Sequence, residues 1–184
     1  MTLTPRAKLV LLASFFLLPI VASMLVYKYG HVEPSANYGE LLPPKPMPGT
    51  VLVRPDGGVF AFAQVSGKWV LLANDAGSCP ASCQSKLVTM RQVRLAMGRN
   101  AERVERVFLV DDARLAPELV AAWPGLRVAS RPAGMAMPEG PGNDRAHIYL
   151  IDPHGDVMMR WPAAPDGRRM IKDLDRLLRA SQIG

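Results

Sequence analysis

The sequence is short of cysteine, histidine and aromatic residues: it has Cys 2 and His 3, and aromatics make up 7%. With only Cys79 and Cys83, four residues apart, the chain either forms one disulfide or offers two sulfurs to one shared ligand. A formal net charge of +6 and a pI near 9.7 would suit nucleic acid. No basic run is interleaved with aromatics, however, and that argues against a nucleic-acid surface. The basic residues are spread out (Arg91, Arg94, Arg99, Arg103, Arg106, then Arg168 to Arg179) at helical spacings opposite apolar positions, as on a solvated face. Attraction to anionic lipid or an acidic partner fits that charge better. Internal repeats and low-complexity blocks are also missing, apart from one proline-rich stretch.

One long hydrophobic run is present. Leu9 to Tyr27 carries no charge, and at ~1.5 Å rise per residue it spans about 28 Å, the thickness of a hydrocarbon core. Arg6 and Lys8 precede it, which predicts a single-pass helix with the N-terminus in the cytoplasm and the rest of the chain exported. A cleaved signal peptide ending at Val21-Ala22-Ser23 is the rival reading; the length of the run favours an uncleaved anchor, and both export the remainder. Pro19 is tolerable inside such a helix. The expected organisation is tail and anchor over 1–29, a tether over 30–49, and a domain over 50–184. The tether is expected from prolines at 34, 43, 44, 46 and 48 and from the lack of apolar periodicity.

From Thr50 the pattern is α/β. Val51–Val53 and Val59–Phe62 flank a Pro55-Asp56-Gly57-Gly58 turn and predict a hairpin. Lys68–Ala73 and Arg106–Val110 read as buried strands. Leu87, Met90, Val93 and Met97 recur at helical intervals up to Gly98 and predict a helix over 82–97. Pro117–Trp123 reads as a short helix, and Ala146–Ile151 with Val157–Arg160 as a second hairpin. Met170, Ile171, Leu174, Leu177 and Leu178 mark a closing helix over 168–180. The order β-β-β-α-β-α-β-β-α predicts a thioredoxin-like domain behind a single N-terminal transmembrane helix.

The cysteines fall where a strand gives way to a helix. On a first helical turn, residues i and i+4 point the same way, so both sulfurs can reach one ion. Pro80 suits the first helical position, and the positive end of the helix dipole would favour thiolate. Two thiolates are soft ligands that select copper(I) or zinc. The bland alternative is an inert staple, although a bridge closing five residues restricts the unfolded chain little.

These residues carry a resemblance. Gly67-Lys68-Trp69-Val70-Leu71-Leu72 leading to Cys79-Pro80-Ala81-Ser82-Cys83 resembles the Sco/SenC family of membrane-anchored, thioredoxin-fold copper chaperones and cytochrome oxidase assembly proteins. Val110-Asp111 with Arg114 and Pro117-Glu118 resembles that family's Val-Asp-Pro-x-Arg-Asp-Thr-Pro-Glu loop, and Tyr149–Gly155 resembles its late hairpin. His147 to Arg160 and the closing helix are similar to short Sco-like membrane proteins that proteobacteria encode among oxidase genes. The resemblance spans roughly 55–180.

Departures accompany it. The position of the family's third copper ligand, a histidine, falls on Asp144; His147 lies an odd offset away, toward the opposite sheet face. Gln84 replaces the family's second proline, Leu115 its loop aspartate, and Asn74-Asp75-Ala76-Gly77 its aromatic-glycine segment. Met135 and Met137 are thioethers suited to copper(I) but are equally ordinary gap-fillers. His147 reads as a packed strand residue, His154 as a turn residue and His31 as part of the tether. Met158-Met159 should face surface and core alternately, and Trp69 and Trp161 read as core or rim aromatics.

The resemblance thus implies a factor of the bacterial inner membrane with its C-terminal domain in the periplasm. It would assist the copper-binding subunit of a haem-copper oxidase by thiol–disulfide exchange or copper delivery. Cys79 and Cys83 would be the catalytic and metal-binding residues. The alternatives are a general periplasmic thiol–disulfide oxidoreductase and a non-catalytic thioredoxin-fold module with a structural disulfide. Against the first stand the Cys-x3-Cys spacing and the lack of a proline just before Ala146.

Overall fold

The computed structural model describes residues 4–29, 37–112, 120–132, 134–135, 144–181 and 183. The chain divides into two compact units, Met1–Ala36 and Asn37–Gly184. The first holds α1 (Pro5–Tyr29), a helix long and apolar enough to cross a membrane, with Pro19 inside it.

The second unit is built on one sheet of eight strands: β1 (Glu40–Pro46), β2 (Leu52–Val53), β3 (Val59–Phe60), β4 (Trp69–Asp75), β5 (Val104–Val110), β6 (Leu126–Ser130), β7 (Ile148–Ile151) and β8 (Asp156–Trp161). Their order across the sheet is β1-β8-β7-β4-β5-β6-β2-β3. β4, β5 and β6 run parallel, and β7 and β8 continue antiparallel from β4. Two long helices among the described residues pack with the sheet, α2 (Ala81–Ala96) and α3 (Gly167–Ala180).

All seven residues of β4 are buried, so the strand has no solvent side and its parity sorts the core into two layers. Trp69, Leu71 and Ala73 join Leu87, Met90 and Val93 of α2 and Met170, Leu174 and Leu178 of α3. Val70 and Leu72 join Phe60, Phe62, Val107, Leu109 and Tyr149 in the other layer. β8 serves both layers through a bulge: Leu150 pairs with Met159 but Ile151 with Val157, which leaves Met158 as the extra residue. Val157 therefore packs in the second layer while Met159 and Trp161 pack in the first.

The fold class is the expected one, with local corrections. Glu40–Pro46, assigned by its prolines to the tether, is an edge strand paired with β8. Proline is acceptable at an edge, where one row of N–H groups has no ladder partner. Asp173 of α3 secures the entry to this strand, accepting from the N–H groups of Tyr38 (3.0 Å) and Gly39 (2.8 Å) and from Trp161 Nε1 (3.0 Å). Gly39 is required by closeness, since a Cβ there would lie 2.5 Å from Met159 Sδ. β6 was not expected; it is short, without a regular apolar alternation, and its pairing with β5 and β2 makes it a strand. Of the expected helix over Pro117–Trp123, residues 117–119 lie outside the described residues, and Val120 and Ala121 are helical.

Candidate functional site around Cys79 and Cys83

β4 delivers the chain to the site at Asp75. The turn that follows closes when the Cys79 N–H donates to the Ala76 carbonyl (3.0 Å), and Cys79 takes a left-handed backbone with φ 39. A β-substituted residue there is strained, typically by about 1–2 kcal/mol. Pro80 is the N-cap of α2 rather than its first residue, so Cys79 precedes the helix and Cys83 lies in its first turn. The two are joined as a disulfide with Cα atoms 5.1 Å apart. Both sulfurs are enclosed in the layer beneath α2, with Cys79 1% and Cys83 0% exposed.

A polar cluster surrounds the turn. Asp75 Oδ2 pairs with Lys86 Nζ at 2.7 Å, both side chains 6% exposed, while Asp75 Oδ1 accepts from the Ala76 N–H. Lys86 also donates to the carbonyls of Asn74 (3.1 Å) and Arg145. Asn74 donates to Asp111 (2.9 Å), which Arg145 holds through two bonds of 2.9 and 2.5 Å, and Asp112 accepts from the Gly77 N–H. Burial alone would raise the Asp111 carboxyl; the hydrogen bonds and charge of Arg145, with the bond from Asn74, outweigh it and hold it below the usual range. Between the first turns of α2 (Ser82, Ser85, Lys86) and Ala163–Pro165 runs a cleft of about 550 Å³. Ala164 on its rim is the other non-glycine residue with a left-handed backbone among those described.

The described candidates for a third ligand lie away from the sulfurs or are engaged by other groups. Asp144, at the position of the resemblance's histidine, ion-pairs with Arg131 at 2.6 Å. His147 Nδ1 lies 2.7 Å from the Trp161 carbonyl, and its ring packs edge-on to Tyr149, whose side chain belongs to the second layer. Met135 is buried in that same layer, across the sheet from the cysteines. His154 is exposed in the β7–β8 turn. Met137, His31, Arg114, Leu115, Pro117 and Glu118 lie outside the described residues. Among the described residues no three His, Cys, Asp or Glu groups converge as a metal site would require.

Sequence reasoning missed the Asp75–Lys86 pair. Its signal was present: Cys83, Lys86, Leu87 and Met90 share one helical face, and a lysine there must be buried with a partner. Trp69 and Trp161 are both core residues; Trp161 Nε1 donates to Asp173, whereas Trp69 Nε1 has no partner.

Solved structures place this architecture. The apo Sco1 protein of Thermus thermophilus is similar with a TM-score of 0.62 at 22% identity, covering 77% of this chain and 97% of that one. Arabidopsis thaliana ScoI, solved with copper bound, matches with a TM-score of 0.59 at 17% identity over 75% of this chain and 99% of that one. A Chlorobium tepidum protein assigned as the thiol:disulfide interchange protein DsbE matches with a TM-score of 0.55 at 20% identity, covering 77% and 100%. At these identities the likeness is one of fold. No curated protein matches the sequence. Residues 69–181, from the first residue of β4 to the end of α3, match a single family throughout, and the chain belongs to it: the transmembrane-like, thioredoxin-like, C-terminal domain family.

Proposed function

We propose that this protein is a Sco-like assembly factor that performs thiol–disulfide exchange through Cys79 and Cys83. In this reading α1 anchors it in the bacterial inner membrane, the domain faces the periplasm, and the partner is the copper-binding subunit of a haem-copper oxidase. The observation that carries the reading is a two-cysteine pair at the β4–α2 junction, bridged across 5.1 Å between Cα atoms, with the described candidate ligands engaged elsewhere.

The exchange balances as follows. In the reduced chain a Cys79 thiolate attacks one sulfur of a partner disulfide; that S–S bond breaks, and its electron pair leaves on the partner's second sulfur, which takes a proton. The Cys83 thiolate then attacks Cys79, the partner's first sulfur departs as thiolate, and the Cys79–Cys83 bond forms. Two electrons have passed to the partner, and an external dithiol must restore the chain. Because both sulfurs are buried in the oxidised form, a reductant reaches them only when the Ala76–Cys79 turn opens. The left-handed backbone at Cys79 lowers the free-energy cost of that opening.

Copper(I) is a second cargo, favoured by the two soft sulfurs. The described residues do not fit a Cys2His site, so among them a metal ion would find the two thiolates, a smaller ligand set than the resemblance implies. Redox titration of the full chain in detergent against glutathione tests the main reading. A potential above about −300 mV supports exchange, and one below it makes the bridge a structural staple. Copper(I) stoichiometry of the wild type against Cys79→Ser tests the second reading.

A further inference from the structure

Arg106 stands on β5 far along the chain from the cysteines. It is 3% exposed and shares strand parity with Val104 and Phe108, which pack in the layer beneath α2. Its Nη2 donates to the Pro124 carbonyl at 2.6 Å, while Nε and Nη1 have no partner among the described residues. The charges that act on it from α2 are Arg94 and Arg91, both repulsive. Arg94 is fixed in place by its Nε bond to the Val104 carbonyl (2.7 Å). The neighbouring carboxylate, Glu105, is occupied by Lys68 (3.0 Å) and Arg127 (3.4 Å). A buried guanidinium with two idle N–H groups, with Arg94 seated on the carbonyl of Val104 two residues earlier on the same strand and Arg91 one turn before it on α2, is an arrangement that proteins ordinarily complete with an anion.

We propose that Arg91, Arg94 and Arg106 form a binding site for a phosphate group. A dianion with several acceptor oxygens matches three guanidinium forks better than a carboxylate, which neutralises one. Burial first, then Arg94 and Arg91, pull the Arg106 pKa down, and Glu105 offsets them only in part. The idle N–H groups are shielded in the anion-free chain, so binding includes a local opening. The turn 122–125, largely exposed and tied to Arg106 through Pro124, is the element placed to move.

The test is thermal unfolding of the full chain in detergent at fixed ionic strength, with inorganic phosphate replacing chloride. A second arm uses nanodiscs with and without phosphatidic acid. The wild type should melt higher in phosphate, and Arg91→Gln with Arg94→Gln should weaken the apparent affinity at least tenfold. Arg106→Met should abolish the response and melt higher than the wild type without phosphate, because it removes a buried unpaired charge. Arg179→Gln, at a surface pair, should respond like the wild type. A response to inorganic phosphate that Arg91→Gln with Arg94→Gln weakens identifies a free phosphate or phosphomonoester as ligand, since the general stabilisation by phosphate remains in the variant; a variant-sensitive response only to phosphatidic acid identifies a lipid headgroup. No response in either arm, or an undiminished response in Arg91→Gln with Arg94→Gln, overturns the proposal, and that double surface variant decides even where Arg106→Met fails to fold.

Discussion

Lys86→Met tests whether the site is held by its buried ion pair. Lys86 neutralises Asp75 at 2.7 Å and satisfies the Asn74 and Arg145 carbonyls, with both charged side chains 6% exposed. Methionine fills much of the same volume but leaves the Asp75 carboxylate uncompensated. Removing one partner of such a pair costs about 3–5 kcal/mol. For a unit the size of Asn37–Gly184, each kcal/mol moves the melting temperature by about 2–4 °C, so the expected loss is about 6–20 °C. Asp75→Leu combined with Lys86→Met removes both charges and should recover most of that loss, since an apolar pair of similar volume replaces a buried ion pair at little cost. The assay is reversible unfolding of the oxidised full chain, followed by near-ultraviolet circular dichroism, for both single variants and the double. If Lys86→Met falls within about 1 kcal/mol of wild type, or the double variant is as unstable as the sum of the singles, the pair does not hold the site and the reasoning fails.

Three further outcomes are expected. Asp144→His should leave copper(I) affinity unchanged, because the Asp144 side chain is turned to Arg131, and the lost half-exposed pair should cost at most about 1 kcal/mol; a clear gain in competition against a copper(I) chelator would show that position 144 reaches the sulfurs. The Asp111 carboxyl is held low in the folded chain, so its contribution to stability is complete above its unfolded value near ~4 and is lost as pH falls through the folded one. Arg145→Gln should therefore lower denaturant stability at neutral pH by a margin that shrinks as pH falls through the folded Asp111 value, and a pH-independent difference would refute the linkage. Gly39→Ala puts a Cβ 2.5 Å from Met159 Sδ and should destabilise by about 1–3 kcal/mol, tempered by the flexibility of that side chain; a melting temperature unchanged within error would contradict the packing.

The layout was legible where periodicity was strong. The apolar run of α1, the Leu87–Met90–Val93 stripe of α2 and the face of α3 mark their helices, and the solid apolar run of β4 marks the central strand. The β2–β3 hairpin at one edge of the sheet was legible from its turn, whereas the other edge was illegible for a physical reason. β1 is Glu-Leu-Leu-Pro-Pro-Lys-Pro, a composition that reads as tether unless one knows that β8 offers it an edge. At the site, spacing alone paired the cysteines, but their burial and the Asp75–Lys86 pair depend on contacts between β4, α2 and the residues before β7. Such long-range contacts leave little trace in local sequence.

Strand parity carries the decision between copper and thiol chemistry. β7 begins at Ile148, whose side chain lies in the cysteine layer, and Tyr149 lies in the opposite one. His147, which packs against Tyr149, shares its parity, as the odd offset from the expected ligand position required. Moving that imidazole to the sulfurs would demand a one-residue slip of β7, which would also exchange Ile148 and Leu150 with Tyr149 and Ile151 across a sheet buried on both faces. Such a slip is far costlier than any single ligand bond could offset, so an imidazole from this strand is closed to the site. Among the described residues a copper(I) ion would find the two thiolates, a smaller ligand set than a Cys2His site. The same two sulfurs need no third group to act as a dithiol, and the proposed thiol exchange rests on that.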